Sequence, residues 1–259
     1  MSKIFAQIRW KALLAVFKLK REVANFMGVR ELDYVSKKIL IKTSNLREYQ
    51  TRARSVAKEP QTVEWIEREA LKGGIFFDVG ANIGAYSLIA GALGMNVYAF
   101  EPATYNAATL EDNAELNKLS ETVRVLPIAL GATTKLGAFT VLDSTSGSSR
   151  GFYNEAGEYH LSTEGAKTRA VIALRLDDAI QLLGLPIPGA IKIDVDGGEL
   201  EVVAGAKETL KAPELRSVLI EVGEGRSDAV SSLILASGFV LSKSIRLDSR
   251  TENLIFERV

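Results

Sequence analysis

Apolar and polar positions alternate along most of the chain in a pattern that predicts strands separated by helices. The apolar runs of strand length cover residues 75–79, 96–100, 123–130, 190–195, 217–222, 240–247 and 253–258. Helical periodicity covers residues 61–71, 85–93, 104–119, 176–183, 200–210 and 227–236. This alternation predicts an α/β fold, a doubly wound parallel sheet with helices on both faces. A short polar turn separates the last two strands, so we expect them to pair antiparallel.

The first 27 residues follow a different pattern, an apolar stripe with helical spacing opposite a basic face. The stripe consists of Ile4, Ile8, Ala12, Ala15, Val16, Leu19, Val23 and Phe26. A helix that docks on the body or on a second subunit, giving a homo-oligomer, is the favoured interpretation; contact of residues 3–26 with an anionic membrane surface is the alternative. The longest apolar run spans only residues 12–17, too short for a signal peptide or a membrane span. We therefore expect a cytoplasmic protein, either free or peripheral to the inner face of the membrane.

Charge divides the 259 residues into two parts, although the net charge of the whole chain is zero. Residues 1–58 contain 14 of the 32 Lys and Arg but only 4 of the 32 Asp and Glu. This asymmetry predicts a basic, helical N-terminal extension (1–58) on an acidic main domain (59–259). An acidic main domain argues against nucleic acid as a partner.

A Gly-, Ser- and Thr-rich stretch at 132–172 interrupts the alternation of strands and helices. Short alternating segments at 138–142 and 168–173 flank its most polar part, which predicts a β-rich, hairpin-like insertion. A substrate loop and a plain surface loop are both compatible with this pattern. The insertion contains His160, the only histidine of the chain, which is a second candidate for a catalytic base. The absence of cysteine excludes disulfides, thiolate metal sites and a cysteine nucleophile.

The strongest chemical motif is an acidic strand end followed by a glycine turn, Asp78-Val-Gly80-Ala-Asn82-Ile-Gly84. We expect Gly80 to let the backbone pass close to a ligand and Gly84 to let the next helix pack on the sheet. The spacing differs from the G-x-G-x-x-G of dinucleotide sites, and an aspartate at this place would repel phosphates. It suits a ligand with an ammonium and a sulfonium group, S-adenosyl-L-methionine. Glu101 ends the next strand, where an acid can accept hydrogen bonds from ribose hydroxyls.

A second acidic motif, Lys192-Ile-Asp194-Val-Asp196-Gly-Gly-Glu, leaves a central strand before another glycine turn. Carboxylates at the end of a buried strand favour a functional site, although either aspartate could instead cap the following helix. Asp194 and Asp196 are the candidate bases, and Lys192 is their electrostatic partner. Asp194 and Glu221 also leave open whether a divalent metal takes part; our prediction is that none is bound.

These motifs together resemble the FkbM-type methyltransferases over about residues 60–224. The matching elements also include Phe100-Glu101-Pro102, Asn113, Leu116-Asn117, Ala129-Leu130-Gly131 and Leu176-Asp177-Asp178. Asp196 stands where many relatives have glutamate. The resemblance implies a class I, Rossmann-like fold with a seven-stranded sheet and an antiparallel last strand. It also implies O-methylation of a hydroxyl on a sugar, glycan or small natural product.

The resemblance further implies residue roles. Asp78, Gly80, Asn82 and Gly84 would line the methionine side of the cofactor and Glu101 would hold its ribose. Asn113, or Asn106 in the same helix, is a less specific match to the cofactor site. The alternative function is a non-catalytic module that uses the same fold for binding or as an adaptor.

Overall fold

The computed structural model describes residues 10–11, 13–19, 28–43, 46–141, 151–154 and 167–259. The strands are β1 (Val29–Glu31), β2 (Leu40–Lys42), β3 (Ile75–Val79), β4 (Asn96–Phe100), β5 (Val123–Leu126), β6 (Ala129–Leu130), β7 (Lys135–Val141), β8 (Gly151–Asn154), β9 (Lys167–Leu174), β10 (Ala190–Ile193), β11 (Ser217–Gly223), β12 (Phe239–Arg246) and β13 (Thr251–Arg258). The helices are α1 (Leu46–Thr51), α2 (Ser55–Lys58), α3 (Pro60–Lys72), α4 (Ala85–Ala92), α5 (Thr104–Leu116), α6 (Leu176–Leu183), α7 (Glu199–Ala204) and α8 (Ser227–Leu235). A 3₁₀ helix, Thr209–Lys211, lies between α7 and β11.

The main sheet has seven strands in the order β12-β13-β11-β10-β3-β4-β5. The five strands from β11 to β5 run parallel, and β13 pairs antiparallel with both β11 and β12. This arrangement confirms the predicted doubly wound sheet with an antiparallel last strand. Two apolar cores cover its faces, one built around Trp65, Phe76 and Ile89 and the other around Phe77, Ile191 and Phe256. The carboxyl ends of β3, β4, β10 and β11 therefore lie side by side at one edge, where ligands bind in open α/β sheets.

Two predicted elements are each divided in the structure. The strand predicted at 123–130 is broken at Pro127, which has no N–H for a sheet ladder, so β5 joins the main sheet and β6 joins a second one. The helix predicted at 200–210 stops after Ala204. A side chain at the next residue, Gly205, would place its Cβ 2.0 Å from the carbonyl oxygen of Gly131, so the chain turns there under close backbone contact.

The second sheet lies in the stretch predicted as an insertion and has the order β6-β9-β7-β8. Strand β7 pairs antiparallel with both β8 and β9, while β6 runs parallel to β9. Residues 142–150 and 155–166 lie outside the described residues, and with them His160. Its predicted part in catalysis therefore stays a prediction.

Residues 28–58 pack on the main sheet rather than forming only a helical arm. Strands β1 and β2 pair antiparallel, and Leu32, Ile39 and Ile41 are buried in the same core as Trp65. The apolar residues of this segment have irregular spacing, so the sequence pattern gave no sign of their burial. The division of the chain at residue 58 stays a prediction.

The basic N-terminal helix presents apolar side chains to solvent wherever it is described. Residues 13–19 are helical, and Trp10 and Phe17 are each 61 % exposed. The described part of the body therefore does not cover this helix. Among the described residues, no helix is both long and apolar enough to cross a bilayer.

Candidate active site

Three acidic residues predicted for the site lie at the ends of neighbouring parallel strands. Asp78 is the penultimate residue of β3, Glu101 follows β4, and Asp194 follows β10. Because β3 lies between β4 and β10, the three carboxylates surround the glycine turn that begins at Gly80. The fold thus brings together residues that lie more than a hundred positions apart in sequence.

The glycine turn makes a very close contact with the chain after β10. Gly80 has a φ of +82°, and a Cβ there would lie 2.0 Å from the carbonyl oxygen of Asp194. Gly80 was predicted to let the backbone pass close to a ligand; in the structure it lets the backbone pass close to the Asp194 carbonyl as well. Asn82 also has a positive φ of 51°, and its side chain accepts a hydrogen bond from the Ile83 amide. The turn therefore depends on residues that tolerate left-handed geometry.

Residues of helix α5 hold the other end of the turn. A Cβ on Gly84 would lie 2.6 Å from Cγ of Leu110, so this glycine permits packing against α5. Asn113 is 0 % exposed; its Nδ2 donates to the Ile83 carbonyl and its Oδ1 accepts from the Lys42 amide. Asn113, predicted for the cofactor site, thus ties the turn to β2 and does not face a ligand in this structure.

Asp78 is buried, with 1 % of its surface exposed. Its Oδ2 accepts a hydrogen bond of 2.6 Å from the Ser87 hydroxyl, while Oδ1 is buried and has no hydrogen-bond partner among the described residues. Burial raises the pKa of Asp78, and the charge of Lys192 opposes this rise. Asp78 lies beside Lys192 in the pairing of β3 with β10. A buried carboxylate oxygen without a hydrogen-bond donor is costly, so a cationic ligand group that donates to it gains binding free energy.

Glu101 is held in place by its own backbone surroundings. Its Oε2 accepts from the Asn82 amide at 2.8 Å and its Oε1 from the Ala103 amide at 2.9 Å. The Asn106 side chain donates to Oε1 at 3.4 Å. Burial raises the pKa of Glu101, and these hydrogen bonds oppose the rise. The carboxylate is therefore fixed against the glycine turn, and Oε2, which accepts only one of these hydrogen bonds, keeps a lone pair for a hydroxyl donor.

Lys192 and Asp194 form a buried ion pair. Lys192 Nζ donates to Asp194 Oδ2 at 2.8 Å and lies 4.7 Å from the centroid of the Tyr86 ring. Burial alone would lower the pKa of Lys192, but the charges of Asp194 and Asp78 raise it. Burial alone would raise the pKa of Asp194, but the charge and hydrogen bond of Lys192 lower it. Both groups are thus kept ionised, which makes Asp194 a weak base.

A pocket beside this ion pair is lined by residues that follow β10 and β11. They are Asp194, Val195, Asp196, Gly197, Glu199, Glu221, Gly223, Arg226 and Thr251. Burial and the charges of Asp194 and Glu59 raise the pKa of Glu221 to about 8. The sequence pattern suggested Glu221 only as a metal ligand. The raised pKa that suits it to accept a proton depends on burial and on the charges of Asp194 and Glu59, which only the fold brings close. Asp196 is exposed at the rim of the pocket.

Glu199 organises the turn below the pocket. Its Oε1 accepts from the Gly197 amide at 2.8 Å, and its Oε2 lies 3.3 Å from Nη1 of Arg226. Within the described ranges, no group of three or more His, Asp and Glu side chains has an arrangement that could hold a metal ion.

Comparison with known proteins identifies the family. The profile described as "Methyltransferase FkbM domain" matches residues 78–241. The chain belongs to this family. It is an S-adenosylmethionine-dependent methyltransferase, as its motifs and sheet order predict.

Two curated relatives cover most of the chain. The hexuronic acid methyltransferase AglP of Haloferax volcanii is 28 % identical over 80 % of this chain and 80 % of its own length. The 31-O-demethyl-FK506 methyltransferase FkbM of Streptomyces tacrolimicus is 29 % identical over 67 % of this chain and 75 % of its own length. The solved structure of an S-adenosylmethionine-dependent methyltransferase from Agrobacterium tumefaciens has a TM-score of 0.50 at 10 % identity, covering 88 % of this chain and 69 % of that one. At that identity the structural likeness concerns the fold alone.

Proposed function

We propose that this protein transfers a methyl group from S-adenosylmethionine to a hydroxyl oxygen of a sugar, glycan or small natural product. The observation that carries the proposal is the set of carboxylates around the glycine turn, in a chain of this methyltransferase family. The names of the two curated relatives, one acting on a hexuronic acid and one on demethylated FK506, support this acceptor class. Nucleic acid is not expected as an acceptor.

The donor side fits the chemistry of S-adenosylmethionine. The buried, unpartnered Oδ1 of Asp78 suits a ligand that carries positive charge. Gly80, Asn82 and Gly84 would line the methionine side, and Glu101 would accept hydrogen bonds from the ribose hydroxyls. Asn113 would act through the turn that it supports. The cofactor supplies an electrophilic methyl group on a sulfonium, so the protein needs mainly to align the acceptor oxygen with it.

The acceptor side would be the pocket beside Lys192 and Asp194. Lys192 holds Asp194 ionised and in place, while Asp196 stands at the rim. An alcohol is a weak nucleophile, so a base near neutral pKa increases the rate. Asp194 and Asp196 remain candidates for this base, and Glu221 joins them because it lines the same pocket with a raised pKa.

The direct test supplies purified protein with labelled S-adenosylmethionine and a panel of acceptors: hexuronic acids, neutral sugars and polyketide alcohols. We expect formation of S-adenosylhomocysteine together with a methyl ether in one acceptor class, and mass spectrometry of the product locates the methyl group. Methylation of a carboxylate rather than a hydroxyl would contradict the O-methyl ether assignment. Tight cofactor binding without turnover of any acceptor would favour the non-catalytic binding module.

The exposed helix at residues 13–19 suggests where the protein works. Its apolar side chains would contact an anionic membrane surface, at the cytoplasmic face, or a second copy of the chain, in a homo-oligomer. Both proposals rest on the exposure of residues such as Trp10 and Phe17.

A further inference from the structure

A segment that precedes the family domain lies against the candidate site. This entry segment comprises residues 52–59, between α1 and α3, whereas the family profile begins at residue 78. Asp33 anchors it: its two carboxylate oxygens accept from the amides of Val56 and Ala57 at 3.0 and 2.8 Å, and its own amide donates to the Ala53 carbonyl at 3.0 Å. The segment is thus fixed relative to the body.

The entry segment is coupled to the buried ion pair through Tyr86. The Tyr86 hydroxyl donates to the Ser55 carbonyl at 3.5 Å, and the Tyr86 ring contacts Lys192. Ser55 Oγ in turn donates to the Arg52 carbonyl at 2.8 Å. The backbone of Arg52 is therefore linked through two hydrogen bonds, by way of Ser55, to Tyr86, the residue that contacts Lys192.

The charge of Arg52 acts on both sides of the glycine turn. It stabilises the ionised form of Asp194, which follows β10, and that of Glu101, which follows β4. Since β3 lies between β4 and β10, a guanidinium that influences both acids lies near the end of β3. The methionine part of the cofactor is expected in the same place.

Among the described residues, no carboxylate is within ion-pair distance of Arg52, in contrast to Lys192 and Lys58 at the same edge. Lys192 Nζ binds Asp194 at 2.8 Å and Lys58 Nζ binds Glu59 at 2.7 Å. The Nε of Arg52 is buried and, among the described residues, has no hydrogen-bond partner. A buried guanidinium N–H without an acceptor is costly, and a carboxylate ligand satisfies it with a strong, charge-assisted bond.

We propose that Arg52 is the residue that binds the carboxylate of the methyl donor's methionine moiety. This inference rests on the proposed function. The donor's amino-acid end carries an ammonium and a carboxylate, and the acids around the glycine turn would attract the first and repel the second. Arg52 supplies the missing positive charge, so a residue outside the family domain completes the donor site.

The test compares two ligands by calorimetry: S-adenosylhomocysteine and S-adenosyl-3-thiopropylamine, which lacks only the carboxylate. We expect Arg52→Gln to weaken S-adenosylhomocysteine binding about 10- to 100-fold, the usual effect of losing a charged hydrogen bond. Binding of the decarboxylated analogue should change by less than about 2-fold, because the deleted contact does not exist there. Arg52→Lys should fall between the wild type and Arg52→Gln.

Arg54→Gln is the matched control, because Arg54 is exposed in the same segment and should leave both affinities unchanged. Equal weakening of both ligands by Arg52→Gln, or of neither, would overturn the inference. So would a variant that affects only the KM of an acidic acceptor, since that result assigns the guanidinium to the acceptor instead. Failure of the wild-type protein to bind S-adenosylhomocysteine would instead refute the proposed function. Thermal unfolding of each variant checks that it is folded.

Discussion

Lys192 Nζ lies 2.8 Å from Asp194 Oδ2, and the two side chains differ greatly in exposure, at 2 % and 27 %. The residues are two positions apart at the end of β10, so their side chains leave the same face of the sheet. Lys192 is also adjacent to Asp78 on the neighbouring strand, β3. The ammonium is thus enclosed between the carboxylates of Asp78, on the proposed donor side, and Asp194, on the proposed acceptor side, and its charge acts on both.

Replacing Asp194 should lower the free energy of unfolding far more than replacing an exposed aspartate that also pairs with a lysine. Asp194→Asn leaves the ammonium of Lys192 buried without its ion-pair partner, with the charges of Asp78 and Glu59 as the remaining counter-charges. We expect a loss of about 3 kcal/mol in the free energy of unfolding, the lower end for a buried charge that loses its partner. Asp112→Asn is the control, because Asp112 contacts Lys42 at 2.7 Å in an exposed pair and should cost less than about 1 kcal/mol. Urea denaturation that gives equal losses would contradict a stabilising buried pair.

The pH dependence of turnover should separate Glu221 from Asp194 as the base. A base must be ionised to accept a proton, so a rate that depends on Glu221 rises as the pH increases through about 8. Lys192 keeps the pKa of Asp194 low, so a rate that depends on Asp194 alone is flat across neutral pH. We expect the rise near pH 8, its loss in Glu221→Gln, and its retention in Glu224→Gln, an exposed acid three residues further on. A flat wild-type profile from pH 6 to 9 would exclude Glu221.

The same titration has an effect of opposite sign on stability. The folded pKa of Glu221 is above its unfolded value, so its ionisation in the folded state costs free energy. The contribution of Glu221 to the free energy of unfolding is fully present below its unfolded pKa. That contribution is lost as the pH rises through its folded pKa of about 8. The wild-type free energy of unfolding should therefore fall relative to that of Glu221→Gln as the pH rises through this interval. Parallel stability curves for the two proteins would mean that the surroundings do not disfavour the carboxylate.

The contact between Gly80 and Asp194 should make Gly80 irreplaceable. Gly80→Ala adds a Cβ 2.0 Å from a carbonyl oxygen at a positive φ, so the two loops must move apart. Gly94→Ala is the matched control, because Gly94 has a φ of +97° but no atom within 4 Å of the added Cβ. The backbone cost alone is about 1–2 kcal/mol, and overpacking at Gly80 should add about 1–3 kcal/mol. Equal destabilisation of the two variants, with cofactor affinity unchanged, would show that the contact is not needed.

The sequence predicted the sheet well because its strands are short apolar runs with clear ends. The predicted bounds of β3 and β4 match the structure, since Gly74 and Gly80 flank the first and Glu101-Pro102 ends the second. The order of the strands in the sheet was not predicted and comes from the structure. Pro127 indicates that the third predicted strand is divided. The prediction misses this division because it counts the apolar residues on both sides of Pro127 as one run.

The positions of candidate site residues were predictable where a motif carries them and not where only tertiary contact does. Asp78, Glu101 and Asp194 stand at strand ends, which a pattern of apolar runs reveals. Arg52 and the buried Glu59 lie in a polar segment with weak periodicity. Nothing local indicates that Arg52 acts on Asp194, or Glu59 on Lys192, from outside the family domain. The raised pKa of Glu221 likewise arises from burial and from carboxylates that are distant in sequence.

The N-terminal helix provides the last prediction. Trp10 and Phe17 are each 61 % exposed, so replacing both with serine should not lower the melting temperature of the body. Leu71→Ser, at a residue 91 % exposed on α3, is the control for a general loss of surface hydrophobicity. If the helix binds membranes, the double variant should lose sedimentation with anionic vesicles while the control keeps it. Wild-type binding should also fade with salt, because each basic residue contributes only about 1 kcal/mol through screened attraction.

If the helix joins two copies, light scattering should instead report a smaller particle for the double variant, with no vesicle binding by either protein. A lower melting temperature, with neither property changed, would show that these side chains pack on their own body.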